Sequence, residues 1–232
     1  MHINSLADKL RKTLPKPLWE ITRKITNSIL GPLHFSLETG HLRSCLSSRA
    51  IDRHGNPLPW FTYSAIQFLL AKDFSDKNIL EWGSGQSTYF WMTRAKWLVS
   101  VEDSLEWFLK INDSVSNNVV MVRTDTNLGN LPDIVSANSY DVIVCDGLDR
   151  SACALLSLDL LNTDGVIIID NSDGLAKEVM KKYRDEGYSR IDFYGYPPGN
   201  TVQQCTSMFF KDSSFILRGD EYPLAQLTYW KY

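Results

Sequence analysis

From residue 78 onward, short apolar runs alternate with stretches of helical composition. The runs are NILEW (78–82), WLVSVE (97–102), NVVMVRT (118–124), DVIVCD (141–146) and GVIIID (165–170). Each is apolar at nearly every position, as expected of a strand covered on both faces. Residues 87–95, 104–113, 131–138 and 149–161 between them read as crossover helices, so the pattern predicts a parallel sheet with helices on both sides. A further helix, GLAKEVMKKYRDEGY, ends at a glycine stop. SRIDFYGY and CTSMFFK follow as two strands separated by the Pro-Pro-Gly-Asn turn of 197–200. Strands so close in sequence pair antiparallel, which adds an edge to an otherwise parallel sheet.

The first 60 residues have another texture. Leu6, Leu10 and Leu14 repeat every four positions, and Leu18, Ile21, Ile25 and Ile29 continue in steps of three or four. This spacing predicts two amphipathic helices broken near Pro15–Pro17. Such helices ordinarily pack their apolar stripe on the domain; a basic membrane-surface helix or a substrate lid is the functional alternative. DRHGNPLPW (52–60) is turn chemistry, and WFTYSAIQFLLAK reads as a helix leading into the first strand.

Composition narrows the function classes. A chain of 232 residues with 44% hydrophobic content and a net charge of -3 suits one sizeable core with an appendage. The mildly acidic balance argues against nucleic acid as the main partner. Cys45, Cys145, Cys153 and Cys205 are scattered without metal-ligand spacing, which fits structural thiols in a reducing, cytoplasmic setting. No run approaches a transmembrane segment, and the first 20 residues lack the apolar core of a signal peptide.

Candidate chemistry gathers where the strands stop. In a doubly wound sheet, ligands sit outside the carboxyl ends of the strands, at the point where strand order reverses. The first strand there runs into Gly83–Ser84–Gly85, where a Cβ-free backbone can turn sharply and admit a ligand. Free N–H groups of the following helix, starting near Gln86, then face that ligand. A dinucleotide fingerprint would place its third glycine at position 88, which is Thr88. Glu81 opposes an anionic pyrophosphate but suits an ammonium or sulfonium group. Acidic residues close every strand: Glu81, Glu102–Asp103, Asp125, Asp146 and Asp170. One such acid usually means a helix cap, whereas five at one edge point to a polar site.

ILEWGSGQST, VSVED, DVIVCDG and LLNTDGVIIIDN stand in the order and spacing of class I S-adenosylmethionine-dependent methyltransferases, and residues 78–210 resemble that family. The resemblance implies an α/β, doubly wound Rossmann-like methyltransferase sheet, mostly parallel with the last strand antiparallel. The corresponding division is an N-terminal helical extension or lid (1–60), a cofactor-binding domain (61–212) and a C-terminal tail (213–232). It also implies S-adenosyl-L-methionine as cofactor. Glu81, Gly83, Ser84, Gly85, Ser87 and Thr88 then surround its methionine half, Glu102–Asp103 its ribose, Asp125 its adenine and Asp146 its methyl group. Ser87 stands where the commoner pattern has a third alternate glycine.

Methyl transfer to a hydroxyl also requires loss of a proton, through a base or a metal. Asp146, Asp170 and Asn171 resemble the ligand set of the cation-dependent small-molecule O-methyltransferases, which adds Mg²⁺ as a candidate; equally, Asn171, Ser172 or Asp173 can cap the next helix. Asp146 and Asp170 are the catalytic candidates, with His41 and His54 as outlying bases. Trp60, Phe61, Tyr63, Tyr194, Tyr196 and the PPGN turn can wall a pocket for a small molecule or sugar, or belong to the core. An NAD(P)-dependent reductase and a non-catalytic methyltransferase-like interaction module are the competing readings.

Overall fold

The computed structural model describes residues 11–124, 133–136, 139–147 and 149–219. Asp125, most of the third predicted crossover and the far C-terminal tail lie outside them.

Seven strands form one sheet: β1 (Asn78–Trp82), β2 (Trp97–Glu102), β3 (Val119–Arg123), β4 (Tyr140–Cys145), β5 (Leu161–Asp170), β6 (Ser189–Gly195) and β7 (Gln204–Phe210). Their order is β3-β2-β1-β4-β5-β7-β6. The first five pair in parallel, and β7 is antiparallel to both β5 and β6. This is the doubly wound Rossmann-like sheet with an antiparallel last strand. The last two strands do pair with each other, but β7 inserts between β5 and β6 and leaves β6 at the edge. An all-parallel dinucleotide-binding sheet, ordered 3-2-1-4-5-6, has no such insertion.

Eight α-helices accompany the sheet among the described residues: α1 (Lys16–Glu38), α2 (His41–Ser47), α3 (Tyr63–Leu70), α4 (Gln86–Met92), α5 (Leu105–Asn112), α6 (Asp133–Ser136), α7 (Arg150–Leu160) and α8 (Lys177–Asp185). Successive strand residues point to opposite faces, and both faces are apolar. Ile79, Leu98, Val144 and Ile168 join α3 and α4 in one core. Leu80, Val99, Ile143 and Ile167 join α7 and α8 in the other. The first core extends past the predicted domain edges, since Ala50, Leu58, Phe215 and Ile216 belong to it.

Pro15 and Pro17 stand at the start of α1, where the missing N–H groups cost nothing, so the predicted break falls there. Packing along the domain is not observed. Not one residue of α1 is buried, and its apolar side chains are exposed.

At the opposite end of the sheet from the glycine loop, Asp141 ties three strands together. Its Oδ2 accepts the Asn78 backbone N–H at 2.8 Å, and its Oδ1 accepts the Asn162 side-chain amide at 2.8 Å. Replacing Asp141 with alanine should cost about 1.5–3 kcal/mol, the usual worth of hydrogen bonds to a charged group. Urea unfolding of the variant measures this; a loss below about 0.5 kcal/mol would show the tie to be redundant.

Candidate functional site

Sheet register builds the site. Trp82 pairs with Val101 and with Cys145, and Cys145 pairs with Ile169. The next residues along, Gly83, Glu102, Asp146 and Asp170, therefore form one row at the carboxyl edge. Between β1 and β4 the strand order reverses, and the crevice there opens outside Gly83.

Gly83 is required twice over. Its φ is 96°, and a Cβ on it would lie 2.6 Å from Gly147 Cα. Gly85 is different: a Cβ there would enter open space, so the absent side chain leaves room in front of the loop. Thr88 fastens this loop. Its hydroxyl accepts the Gly85 N–H at 2.9 Å and donates to Glu81 Oε2 at 2.6 Å; the Ser100 hydroxyl donates to the same oxygen at 2.7 Å. Glu81 is fully buried beneath the loop, its Oε1 lacks a hydrogen-bond partner among the described residues, and burial raises it to about 7. The carboxylate expected to meet a sulfonium is thus a support for the glycine turn, and the threonine that breaks the dinucleotide fingerprint links the two.

Glu102 also grips the loop. Its Oε2 accepts the Ser84 N–H at 2.8 Å and the Ser84 hydroxyl at 2.6 Å, while Oε1 accepts the Ser104 N–H at 2.9 Å. Three of its roughly four acceptor positions are occupied, leaving capacity for one hydroxyl.

Above the row lies a cavity of about 700 Å³, within the range of small-molecule sites. Gly83, Ser84, Gly85, Ser87, Asp146, Asp170 and Asn171 line it, as their sequence positions imply. Glu81, Thr88, Glu102 and Asp103 are not among the lining residues. Trp60 is on the wall, its indole N–H donating to Pro198 O at 2.9 Å; Pro197 and Asn200 of the PPGN turn join it. Phe61 and Tyr63 are core residues instead, and Tyr194 and Tyr196 do not line the cavity. Neither histidine does: His41 Nδ1 accepts the Gly199 N–H, and His54 accepts from Arg53.

Arg150, Gln204, Thr206, Trp107 and Arg49 carry no signal that sequence spacing could reveal. Arg150 donates to Asp146 Oδ1 at 2.9 Å. Gln204 Nε2 reaches both oxygens of Asp170 at 2.9 and 2.8 Å, and the Thr206 hydroxyl donates to Oδ1 at 2.7 Å. Burial pushes both aspartates above the usual carboxylate range. Asp170 stands at about 8, with the charge of Asp146 adding to the effect of burial. Two adjacent buried carboxyls with one guanidinium between them favour a shared proton.

That arrangement does not fit Mg²⁺. A guanidinium already stands at Asp146, both Asp170 oxygens accept protein donors, and no group of three or more His, Cys, Asp or Glu converges among the described residues. Nor do Asn171, Ser172 and Asp173 cap α8, whose first turn opens at Ala176. Ser172 instead bonds Ser207 across to β7, at 2.6 Å.

No protein-family model matches the chain, and no curated protein does. Solved structures do match, methyltransferases among them. One is a putative O-methyltransferase from Klebsiella pneumoniae, at 16% identity over 83% of this chain and 96% of that one, with a TM-score of 0.48. Another is a methyltransferase from Pyrococcus furiosus, at 18% identity over 80% and 98%, TM-score 0.47. A third is M. jannaschii TYW2 in complex with AdoMet, at 12% identity over 69% and 79%, TM-score 0.45. One fold hosts many unrelated activities, so function is read from the side chains.

Two outcomes are expected. Gly83→Ala should lose about 2–4 kcal/mol of stability, from overlap with Gly147 and a strained φ together; a change under about 1 kcal/mol in denaturant would show that the loop can move aside. Glu81 gives a pH signature. Its folded pKa, about 7, lies above the ordinary 4.5, so its favourable contribution is complete below pH 4.5 and is lost as pH rises toward 7. Stability of the native chain relative to Glu81→Gln should therefore fall by about 1–3 kcal/mol across that window. A flat difference would mean that Glu81 is ionised throughout.

Proposed function

We propose that the protein transfers a methyl group from S-adenosyl-L-methionine to a small molecule or glycan, on oxygen. The observation that carries this reading is one cavity, at the reversal of strand order, that joins an unobstructed glycine loop to two buried aspartates. The open space at Gly85 and the remaining acceptor capacity of Glu102 fit a nucleoside bearing a short cationic arm. When bound, the cofactor supplies an electrophilic methyl group on a sulfonium.

This chain's own residues do the rest. Ser84, Gly85 and Ser87 hold the loop side of the cavity, and Trp60 and Trp107 provide flat walls for a ring or sugar face. Asp146, kept beside Arg150, supplies negative potential at the centre of the cavity. Asp170 takes the proton from the acceptor hydroxyl on a carboxylate oxygen, with Gln204 and Thr206 fixing its orientation. Its elevated pKa makes it a stronger base than a surface carboxylate. The antiparallel β7 is a further support, because it delivers Gln204 and Thr206 and has no place in the competing reductase sheet.

Calorimetry with S-adenosylhomocysteine tests the cofactor: the native chain should bind, and Gly85→Val should weaken binding at least ~10-fold without unfolding the protein. A methyl-donor assay over phenols, sugars and amines tests the chemistry. Activity should persist in EDTA, rise with pH as the aspartate pair titrates, and drop ~10²–10⁴-fold in Asp170→Asn. Tight NAD(H) binding with no heat from S-adenosylhomocysteine would overturn the reading.

A further inference from the structure

The longest helix among the described residues, α1, buries none of its side chains. At 100° per residue, Leu18, Ile21, Ile25, Ile29 and Leu33 fall on one side of it. Their exposures run from 48% to 61%. Trp19, Leu30 and Leu37 widen this band to about half the circumference, broader than the narrow seam of a coiled coil.

The helix is attached to the domain by its other side. Glu38 receives the Arg53 guanidinium, and Phe35 meets Tyr63 edge-on at 5.3 Å. Both anchors lie well away from the apolar band on the helical wheel, so the band faces away from the domain. Lys16, Arg23 and Lys24 occupy the polar side, and Arg11 and Lys12 precede them. Six of the chain's 24 basic side chains, but only two of its 27 acidic ones, lie in the first 30 residues. An otherwise acidic protein therefore concentrates positive charge on the one helix that shows an apolar face.

We propose that α1 is an interfacial helix that docks on an anionic lipid surface. Its apolar band enters the boundary between headgroups and acyl chains, and its Lys and Arg side chains reach the phosphates. No described helix is long and apolar enough to cross a membrane, so the contact is with the surface. A second copy of the chain fits less well. Pairing two such bands sets Arg23 and Lys24 beside their like, with Glu20 the only acid on that stretch not already engaged by Arg53.

Flotation of the full-length protein with vesicles tests this. The protein should float with phosphatidylcholine–phosphatidylglycerol vesicles and at least ~10-fold less with phosphatidylcholine alone, and raised salt should weaken the binding. Ile25→Glu/Ile29→Glu should abolish flotation without a change in melting temperature, since both positions are exposed. Arg23→Glu/Lys24→Glu should remove the preference for the anionic vesicles. Equal binding to both vesicle types, no flotation, or flotation unaffected by the paired glutamates would each overturn the proposal. A dimer in sedimentation velocity that Ile25→Glu/Ile29→Glu dissolves, with no flotation, would overturn it in favour of a second copy.

Discussion

The backbones of Gly83 and Gly147 approach too closely for either to carry a side chain without displacing the other. A Cβ on Gly147 would lie 3.1 Å from Gly83 N, and one on Gly83 would lie closer still to Gly147. This contact sets the width of the crevice between β1 and β4. It fixes where the glycine loop leaves the sheet, how Asp146 is presented next to it, and from which direction α4 starts. Neighbouring strands in a parallel sheet are held by their ladders, but the loops beyond them are not. Here the close approach extends the order of the sheet by one residue into the site.

Two uses of buried acid follow. Glu81 sits below the loop, where its hydrogen bonds to Thr88 and Ser100 hold backbone in place and its burial disfavours charge. Asp146 and Asp170 sit above it at the cavity wall, beside Arg150. The chemical type is the same in all three; depth and partners divide the roles. A carboxyl with hydroxyl partners and no cation is suited to support, while a pair sharing one guanidinium can accept and release a proton without gaining net charge at both members. Glu102 combines both conditions, since it clamps Ser84 and retains an unfilled acceptor position.

Much of this was legible in the sequence. Apolar runs bounded by helical stretches located the strands because burial on both faces leaves no room for polar residues. The acids at the strand ends identified the edge, since chain direction alone carries parallel strands to a common rim. What spacing could not supply was pairing across the sheet. Gln204 and Thr206 belong to a strand remote in sequence from Asp170, and only the insertion of β7 beside β5 brings them there. The role of Thr88 was hidden for another reason: it was read as a missing glycine, whereas its hydroxyl spans from a helix to a strand. The fate of α1 was misjudged because an amphipathic pattern records that a face is apolar and not what covers it.

The geometry of the N-terminal segment gives that exposed face a consequence for the cavity. α1 passes through Thr39 into Gly40, whose φ of 79° turns the chain into α2. A Cβ on Gly40 would overlap the backbone of Asp52, so this corner is packed against the turn that precedes Trp60. α2 ends at Ser48, itself in a left-handed conformation, and Ser48 and Arg49 line the cavity. On the other side Gly199 of the PPGN turn packs on Ser44 of α2. α2 is therefore held between the two segments that supply Trp60 and Asn200. A force that fixes the direction of α1 is transmitted through a tight corner to one rim of the site, and not to the glycine loop, which is anchored separately by Glu81 and Glu102. The acceptor side of the cavity is coupled to the extension, and the cofactor side to the sheet.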